Sequence, residues 1–218
     1  MKKIVMIHTS PVSLNDLKAL ATELLPGIEL INIIDDSLLE EVKVHNGLTS
    51  AIISRMCTYV QVADAMKPDL IFNQCSSVGE AFDIARKCTA VPTLKIDEAM
   101  AEKAVLLGHT VGVIATVAST MKPSCNLVRT KAAQAGRDVE VREYLIAGAL
   151  DILMKEKNVD KHNALVLAEI KKAEQVCDVI VLAQGSMTAL LPCLSGCSKP
   201  VLSSPRLAME RVKEMLGE

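Results

Sequence analysis

The sequence predicts an α/β protein made of two related halves, each a doubly wound parallel sheet. Three observations carry this. Short β-branched apolar runs alternate with longer helical patterns along all 218 residues. Half of the residues are hydrophobic, enough to bury a sizeable core, and Ala, Leu, Ile and Val supply most of it. Two strand-to-helix junctions recur later in the chain at a nearly constant offset. A chain of this length fits one large domain or two of about 100 residues each.

The first strand is expected at residues 4–7, inside the apolar run that opens the chain. That run is too short for a secretory core followed by a cleavage site, and no run approaches the roughly 20 apolar residues that span a bilayer. Further strands are expected at 28–32, 70–73, 92–94, 110–115, 139–143, 179–183 and 201–202. Helices are expected at 13–25, 49–66, 77–88, 98–107, 120–135, 161–175 and 206–216. Short apolar strands separated by helices suggest parallel βαβ units with helices on both faces. In such sheets ligands bind beyond the carboxyl ends of the strands.

The internal repetition sets the division into halves. Ile7, Thr9 and Ser13 meet Ile114, Thr116 and Thr120 at an offset of 107. Leu70-Ile71-Phe72-Asn73-Gln74-Cys75-Ser76-Ser77 parallels Val179-Ile180-Val181-Leu182-Ala183-Gln184-Gly185-Ser186, so that Cys75 meets Gln184 and Ser77 meets Ser186. The expected domains are residues 1–95 with 205–218, and residues 96–204.

Composition excludes several function classes. Phe72, Phe82, Tyr59 and Tyr144 are the only aromatic residues, too few for base-stacking platforms. The net charge is −2 and the basic residues are scattered, so nucleic acid is not an expected partner. No membrane partner is expected either. The seven cysteines are odd in number and lack a framework spacing, which points to free thiols in a reducing cytoplasm. Cys193-Leu194-Ser195-Gly196-Cys197 has no nearby His and no second pair, so no metal site is expected. There is no GxGxxG loop, P-loop or GxSxG elbow, and no cofactor is expected. Lys95, at the end of a short strand, reads as structural.

Four strand ends carry small polar residues: His8-Thr9-Ser10, Cys75-Ser76-Ser77, Thr116 through Ser119 to Thr120, and Gln184-Gly185-Ser186. Free N–H groups and hydroxyls at helix starts hold anions, and four such ends meeting in a cleft would hold a carboxylate or an oxyanion. Each Ser or Thr is also a plain helix cap in its own right. Cys75 stands at a helix start, where the helix N-terminus should lower the thiol pKa and favour a nucleophilic or basic thiolate. Cys57, Cys88, Cys125 and Cys177 fall in helical patterns and read as packing residues. His8 is expected either to act in catalysis, by hydrogen-bonding Cys75 or protonating the substrate, or to serve as a polar first-turn residue with no catalytic part. His45, His109 and His162 are expected at the surface.

These residues resemble the aspartate/glutamate racemase superfamily, which includes hydantoin racemases, maleate isomerases and arylmalonate decarboxylases. The anchors are Ile7-His8-Thr9-Ser10-Pro11, Asn73-Gln74-Cys75-Ser76-Ser77-Val78-Gly79, Lys95-Ile96-Asp97-Glu98-Ala99-Met100-Ala101-Glu102, Gly112-Val113-Ile114-Ala115-Thr116-Val117 and Val181-Leu182-Ala183-Gln184-Gly185-Ser186-Met187. The resemblance covers nearly the whole chain. It implies two pseudo-symmetric α/β domains with a cofactor-free site in the cleft between them, a homodimer, and a small carboxylate substrate. It implies two cysteines on opposite sides of a substrate carbon, one removing a proton and one returning it.

The first cysteine carries over to Cys75, with Ser76 and Ser77 beside it. The threonine-rich loop carries over to Thr116, Ser119 and Thr120. His8 takes the place of the acidic residue that often ends the first strand. The second cysteine is replaced by Gln184, whose amide neither gains nor loses a proton in the physiological range. The expected function is therefore a cofactor-independent racemase or epimerase-type isomerase acting through Cys75. Gln184 would orient the substrate, and the loop residues Thr9, Ser10, Ser76, Ser77, Thr116, Ser119, Thr120, Gly185 and Ser186 would bind it. A single-cysteine lyase such as a decarboxylase, or a small-ligand binding protein, are the alternatives.

Overall fold

The computed structural model describes residues 1–218, apart from the Ser186 side chain. The chain divides into two compact units, Met1–Ile96 with Pro205–Glu218, and Asp97–Ser204.

In the first unit, β1 (Lys3–His8), β2 (Glu29–Ile34), β3 (Leu70–Asn73) and β4 (Thr93–Lys95) form a parallel sheet in the order β2-β1-β3-β4. Side chains alternate across a strand, and both faces here are covered, so the central strands read as continuous apolar runs. Ile4, Met6, Leu70 and Phe72 face α1 (Leu14–Leu24) and α9 (Ser204–Leu216), meeting Leu17, Ala21, Ala208, Met209 and Val212. Val5, Ile7 and Ile71 face α2 (Ser37–Val44), α3 (Ser50–Ala65) and α4 (Gly79–Ala85). Phe72 and Phe82 are fully buried. Burying a side chain of that size stabilises a fold by about 1.5–3 kcal/mol.

Local signals explain the long helices. Thr49 caps α3 by accepting the Ile52 N–H at 3.2 Å, and Ile52, Met56, Val60 and Ala63 make its buried stripe. Helix α2 escapes sequence pattern reading. It has eight residues, with only Leu38 and Val42 buried.

The second unit repeats the plan. Its sheet contains β5 (Thr110–Ala115), β6 (Glu140–Leu145), β7 (Val179–Leu182) and β8 (Val201–Ser203), in the order β6-β5-β7-β8. Ile114, Ile180 and Leu182 pack on α8 (Val159–Ala173) through Val166, Ile170 and Ala173. Helices α5 (Glu98–Leu107) and α6 (Ala118–Gln134) adjoin β7 and β5. The short helix α7 (Ala149–Met154), like α2, is too short to show a helical period, and only Ala149 of it is buried. Where a helix is expected after Gln184, residues Gly185–Leu194 form a 3-10 segment instead. His162, expected at the surface, is buried in α8 with Nδ1 bonded to Asn163 Oδ1 at 3.0 Å. Its place on the inner side of an amphipathic helix outweighs its polarity. No helix is long and apolar enough to cross a membrane among the described residues.

Register shows the repetition in detail. Ile4 pairs with Leu70, and Val111 with Val179. The Asp69 carboxylate accepts the Lys3 N–H at 2.8 Å, while its own N–H donates to the Lys3 carbonyl at 2.8 Å. Asp178 does the same with Thr110, at 2.9 and 2.8 Å, and also accepts the His109 N–H at 2.9 Å. Beside it, Gly108 has room for no more than a hydrogen. A Cβ there would come within 2.4 Å of the Asp178 Cβ.

A polar cluster fastens β2 to the helices that follow. Asp35 accepts hydrogen bonds from the Ser37 N–H and hydroxyl at 3.1 and 2.6 Å, and from Arg55 and Tyr59. Burial pushes the Asp35 carboxyl up, but these donors and the Arg55 charge outweigh it and hold the pKa at about 2. A depressed carboxylate pKa contributes stability that is present above the ordinary value near 4 and lost as pH falls toward 2. With the partners partly exposed to solvent, about 1–2 kcal/mol is expected. The urea-unfolding difference between wild type and Asp35→Asn should therefore shrink from pH 6 to pH 2.5. A constant difference would show that the ionised form contributes nothing.

Candidate active site

In each sheet the chain leaves the two central strands in opposite lateral directions, β1 toward β2 and β3 toward β4, β5 toward β6 and β7 toward β8. Ligand sites in open α/β sheets form outside the carboxyl ends of strands at such switch points. In the first unit those ends carry His8 as the last residue of β1 with Thr9 and Ser10 after it, and Gln74, Cys75 and Ser76 after β3.

Cys75 precedes a single 3-10 turn, Ser76–Val78, rather than opening an α-helix directly. Asn73 is buried at the end of β3 and donates from Nδ2 to the Cys75 carbonyl at 3.0 Å, which fixes the turn. Four groups are directed at the sulfur: the Thr9 hydroxyl, the Ser77 hydroxyl, and the backbone N–H of Ser77 and of Val78. Thr9 and Ser77 are themselves buried. Cys75 remains partly exposed.

The expected lowering of the thiol pKa is not found. Burial pushes the Cys75 thiol up, and the four donors offset only part of that. A three-residue turn supplies little of the dipole that a full helix would. The resting residue is thus a neutral thiol, in a setting that stabilises the thiolate once it forms. Iodoacetamide labelling of Cys75, followed by peptide mass spectrometry, should keep accelerating beyond pH about 8.5, where a free cysteine is half ionised. A plateau below that pH would contradict the assignment.

His8 meets Asn32 and Gln74 in this structure. Its ring is fully buried, with Nε2 2.9 Å from Asn32 Oδ1, so Nε2 is the protonated nitrogen. Gln74 also contacts the ring, and Nδ1 is buried without a partner among the described residues. Burial pushes the His8 pKa down, with Lys18 adding to the effect and Asn32 and Gln74 opposing it. Burial thus favours the neutral imidazole at His8. Ser10 is part-buried, and its hydroxyl accepts the Val12 N–H at 3.3 Å, a local turn. Lys95, at the end of β4, is buried with Nζ 2.7 Å from Asp83 Oδ2, a structural ion pair.

The second unit brings Thr116 and Gln184 together. Gln184 Oε1 accepts the Thr116 N–H at 2.8 Å and the Thr116 hydroxyl at 3.2 Å. Gln184 Nε2 is buried with no partner among the described residues. Ser119 and Thr120 lie in the first turn of α6. Among the described residues the Ser119 hydroxyl is buried and unpaired, as is that of Thr188, which sequence reasoning did not single out. Pro123 has no N–H, so the Ser119 carbonyl cannot receive the usual helical bond. Thr120 is buried, and Gly185 is exposed. Ser186, also expected at this end, has its side chain outside the described residues. Asn32 was likewise missed, because a polar residue within a strand carries no motif. No group of three or more His, Cys, Asp or Glu positioned for a metal occurs among the described residues.

The Asp/Glu/hydantoin racemase family model matches residues 18–212. The chain belongs to this family. Solved structures with the same fold include a glutamate racemase from Bacillus anthracis, at 12% identity and TM-score 0.75, covering 99% of this chain and 82% of that one. An allantoin racemase from Klebsiella pneumoniae follows at 16% identity and TM-score 0.69, with 100% and 88% covered. An aspartate racemase homologue from Pyrococcus horikoshii is 17% identical with TM-score 0.74, and both chains are covered completely. No curated protein matches the chain by sequence. Within the racemase family, then, this chain presents a thiol at the end of β3 and an amide at the matching end of β7.

Proposed function

We propose that this family member is a cofactor-independent isomerase of the racemase or epimerase type. It moves a proton at a carbon activated by a carboxylate or carbonyl group, with Cys75 as acid/base or nucleophile. The observation that carries this reading is the convergence of four hydrogen-bond donors on one sulfur. Such donors stabilise a thiolate, and cysteines so placed serve as proton carriers or nucleophiles. Thr9, Ser10, Ser76, Ser77, Thr116, Ser119, Thr120, Gly185 and Ser186 are assigned to the substrate carboxylate or to the enolate oxygen. Preorganised donors of this kind lower barriers by several kcal/mol. Gln184 orients the substrate, and His8 supports the Cys75 loop. The named activities of the solved relatives, glutamate, aspartate and allantoin racemisation, support a small carboxylate or a related carbonyl compound. Seven free cysteines fit a reducing compartment such as the cytoplasm. Association as a homodimer belongs to the same reading.

The test is deuterium exchange. Both enantiomers of aspartate and glutamate are incubated in heavy water with wild type and with Cys75→Ser, and the Cα proton is followed by NMR. Cys75-dependent exchange is expected. A neutral resting thiol also favours a second reading, a lyase that protonates a carbanion left by loss of CO₂, and release of CO₂ from a malonate-type substrate would single it out.

A further inference from the structure

Outside the candidate site, two of the cysteines meet within the first unit. Cys57 lies on α3, half-buried, and packs against the core beneath that helix. Cys88 ends the 3-10 turn Arg86–Cys88, which follows α4, and it is exposed. That turn packs against α3, and the Cys57 and Cys88 side chains are in hydrogen-bonding contact.

The turn is held on two sides. On one, the Thr89 hydroxyl donates to the Asp64 carboxylate and accepts the Val91 N–H at 3.0 Å. Asp64 follows Cys57 on α3 by nearly two helical turns, so both lie on the same face of that helix. On the other, Arg86 donates from Nε to the Thr93 hydroxyl at 2.8 Å and from Nη2 to the Thr93 carbonyl at 2.9 Å, both in β4. Residues on either side of Cys88 thus keep it beside Cys57. Two sulfurs already in contact need only a small side-chain rotation to reach the bonded distance of about 2.05 Å.

We infer that Cys57 and Cys88 are a modification site, a thiol pair that forms a reversible disulfide by exchange with a small disulfide such as oxidised glutathione. The site is independent of the chemistry at Cys75. Cys88 is the exposed member and meets the reagent first. Its thiol loses a proton to solvent, and the thiolate attacks one sulfur of the reagent. A mixed disulfide forms as the reagent's own S–S bond breaks, and one glutathione leaves as a thiol. Burial pushes the Cys57 thiol up, and Cys88 beside it adds to that, so Cys57 is a neutral thiol at rest. It then gives its proton to solvent, attacks the Cys88 sulfur and releases the second moiety of the reagent as a second glutathione thiol. Two protein thiols are oxidised and one small disulfide is reduced. The loop so closed, about thirty residues long, contains β3, the Cys75 turn and α4. Oxidation therefore ties down both ends of the segment that carries Cys75, with Cys75 outside the bond.

The test maps disulfides in the full chain. Wild type, Cys57→Ser and Cys88→Ser are incubated with oxidised glutathione, alkylated in urea, cleaved before aspartate and read by mass spectrometry. That cleavage places Cys57, Cys75 and Cys88 on separate peptides, 36–63, 69–82 and 83–96. In wild type, peptide 36–63 is expected to be joined to 83–96, and dithiothreitol should part them. Cys57→Ser should instead retain glutathione on Cys88. Cys88→Ser should form no link from Cys57 to another peptide. Circular dichroism melting of bridged wild type should show a midpoint about 5 °C or more above the reduced form, because the closed loop restrains the unfolded chain. Wild type that keeps glutathione on Cys88 beside a free Cys57 would overturn the inference. So would recovery of both thiols unmodified, a link from Cys88 to Cys75 in place of Cys57, or a bridged protein that melts no higher than the reduced one.

Discussion

Cys75→Ser is expected to reduce proton exchange at the substrate carbon by about 10³-fold, the scale of a lost acid–base group. Serine preserves the size and polarity of the side chain and can still accept from Thr9 and from the Ser77 and Val78 N–H groups. What it lacks is a proton that can be lost in the accessible pH range. The loss should therefore fall on turnover while the thermal midpoint stays within about 2 °C of wild type. Burial raises the Cys75 pKa, so the thiolate fraction of the free protein grows only at alkaline pH. The exchange rate of wild type at low substrate concentration should accordingly climb through pH 8 and 9. A Cys75→Ser protein that exchanges at the wild-type rate would remove the thiol from the chemistry altogether.

The second large effect falls on stability. Gly108→Ala should destabilise the fold by about 2–4 kcal/mol, as overpacking next to rigid backbone does. The backbone at Gly108 is extended, φ −161° and ψ 173°, so alanine meets no conformational penalty there. The cost is steric. The new methyl would lie 2.4 Å from the Asp178 Cβ, an atom that moves only with its own backbone. Displacing Asp178 would also pull its carboxylate from the His109 and Thr110 N–H groups that start β5. A thermal midpoint lowered by about 10 °C is the expected reading. An unchanged midpoint would mean that the strand start yields freely.

Much of the fold was legible because the central strands are buried on both faces. β3 and β5 begin and end where their apolar runs do, at Leu70–Asn73 and Thr110–Ala115. Helix α5, Glu98–Leu107, is likewise bounded by an acidic start and by Gly108. The short helices α2 and α7 were not legible, since one or two buried apolar residues make no periodic signal. The location of Cys75 was legible from the internal repetition. Its protonation state was not, because the sign depends on burial opposing four donors, two of which are backbone groups. The partner of His8 was hidden for a different reason. Asn32 lies 24 residues away on a neighbouring strand, and only pairing brings it alongside. The direction of the Gln184 amide was hidden in the same way, since it is set by Thr116, 68 residues earlier.

The first unit is interrupted in sequence. Its core includes Ala208, Met209 and Val212 of α9, which are separated from the rest of that unit by the whole of the second. During synthesis, the second unit can therefore gather all of its residues while the first still lacks one wall. Ile4, Met6, Leu70 and Phe72 are covered on that side by α1 alone until residue 212 has left the ribosome. The half made first is the half finished last. For that interval the nascent chain exposes a half-covered apolar sheet face, the kind of surface that chaperones hold.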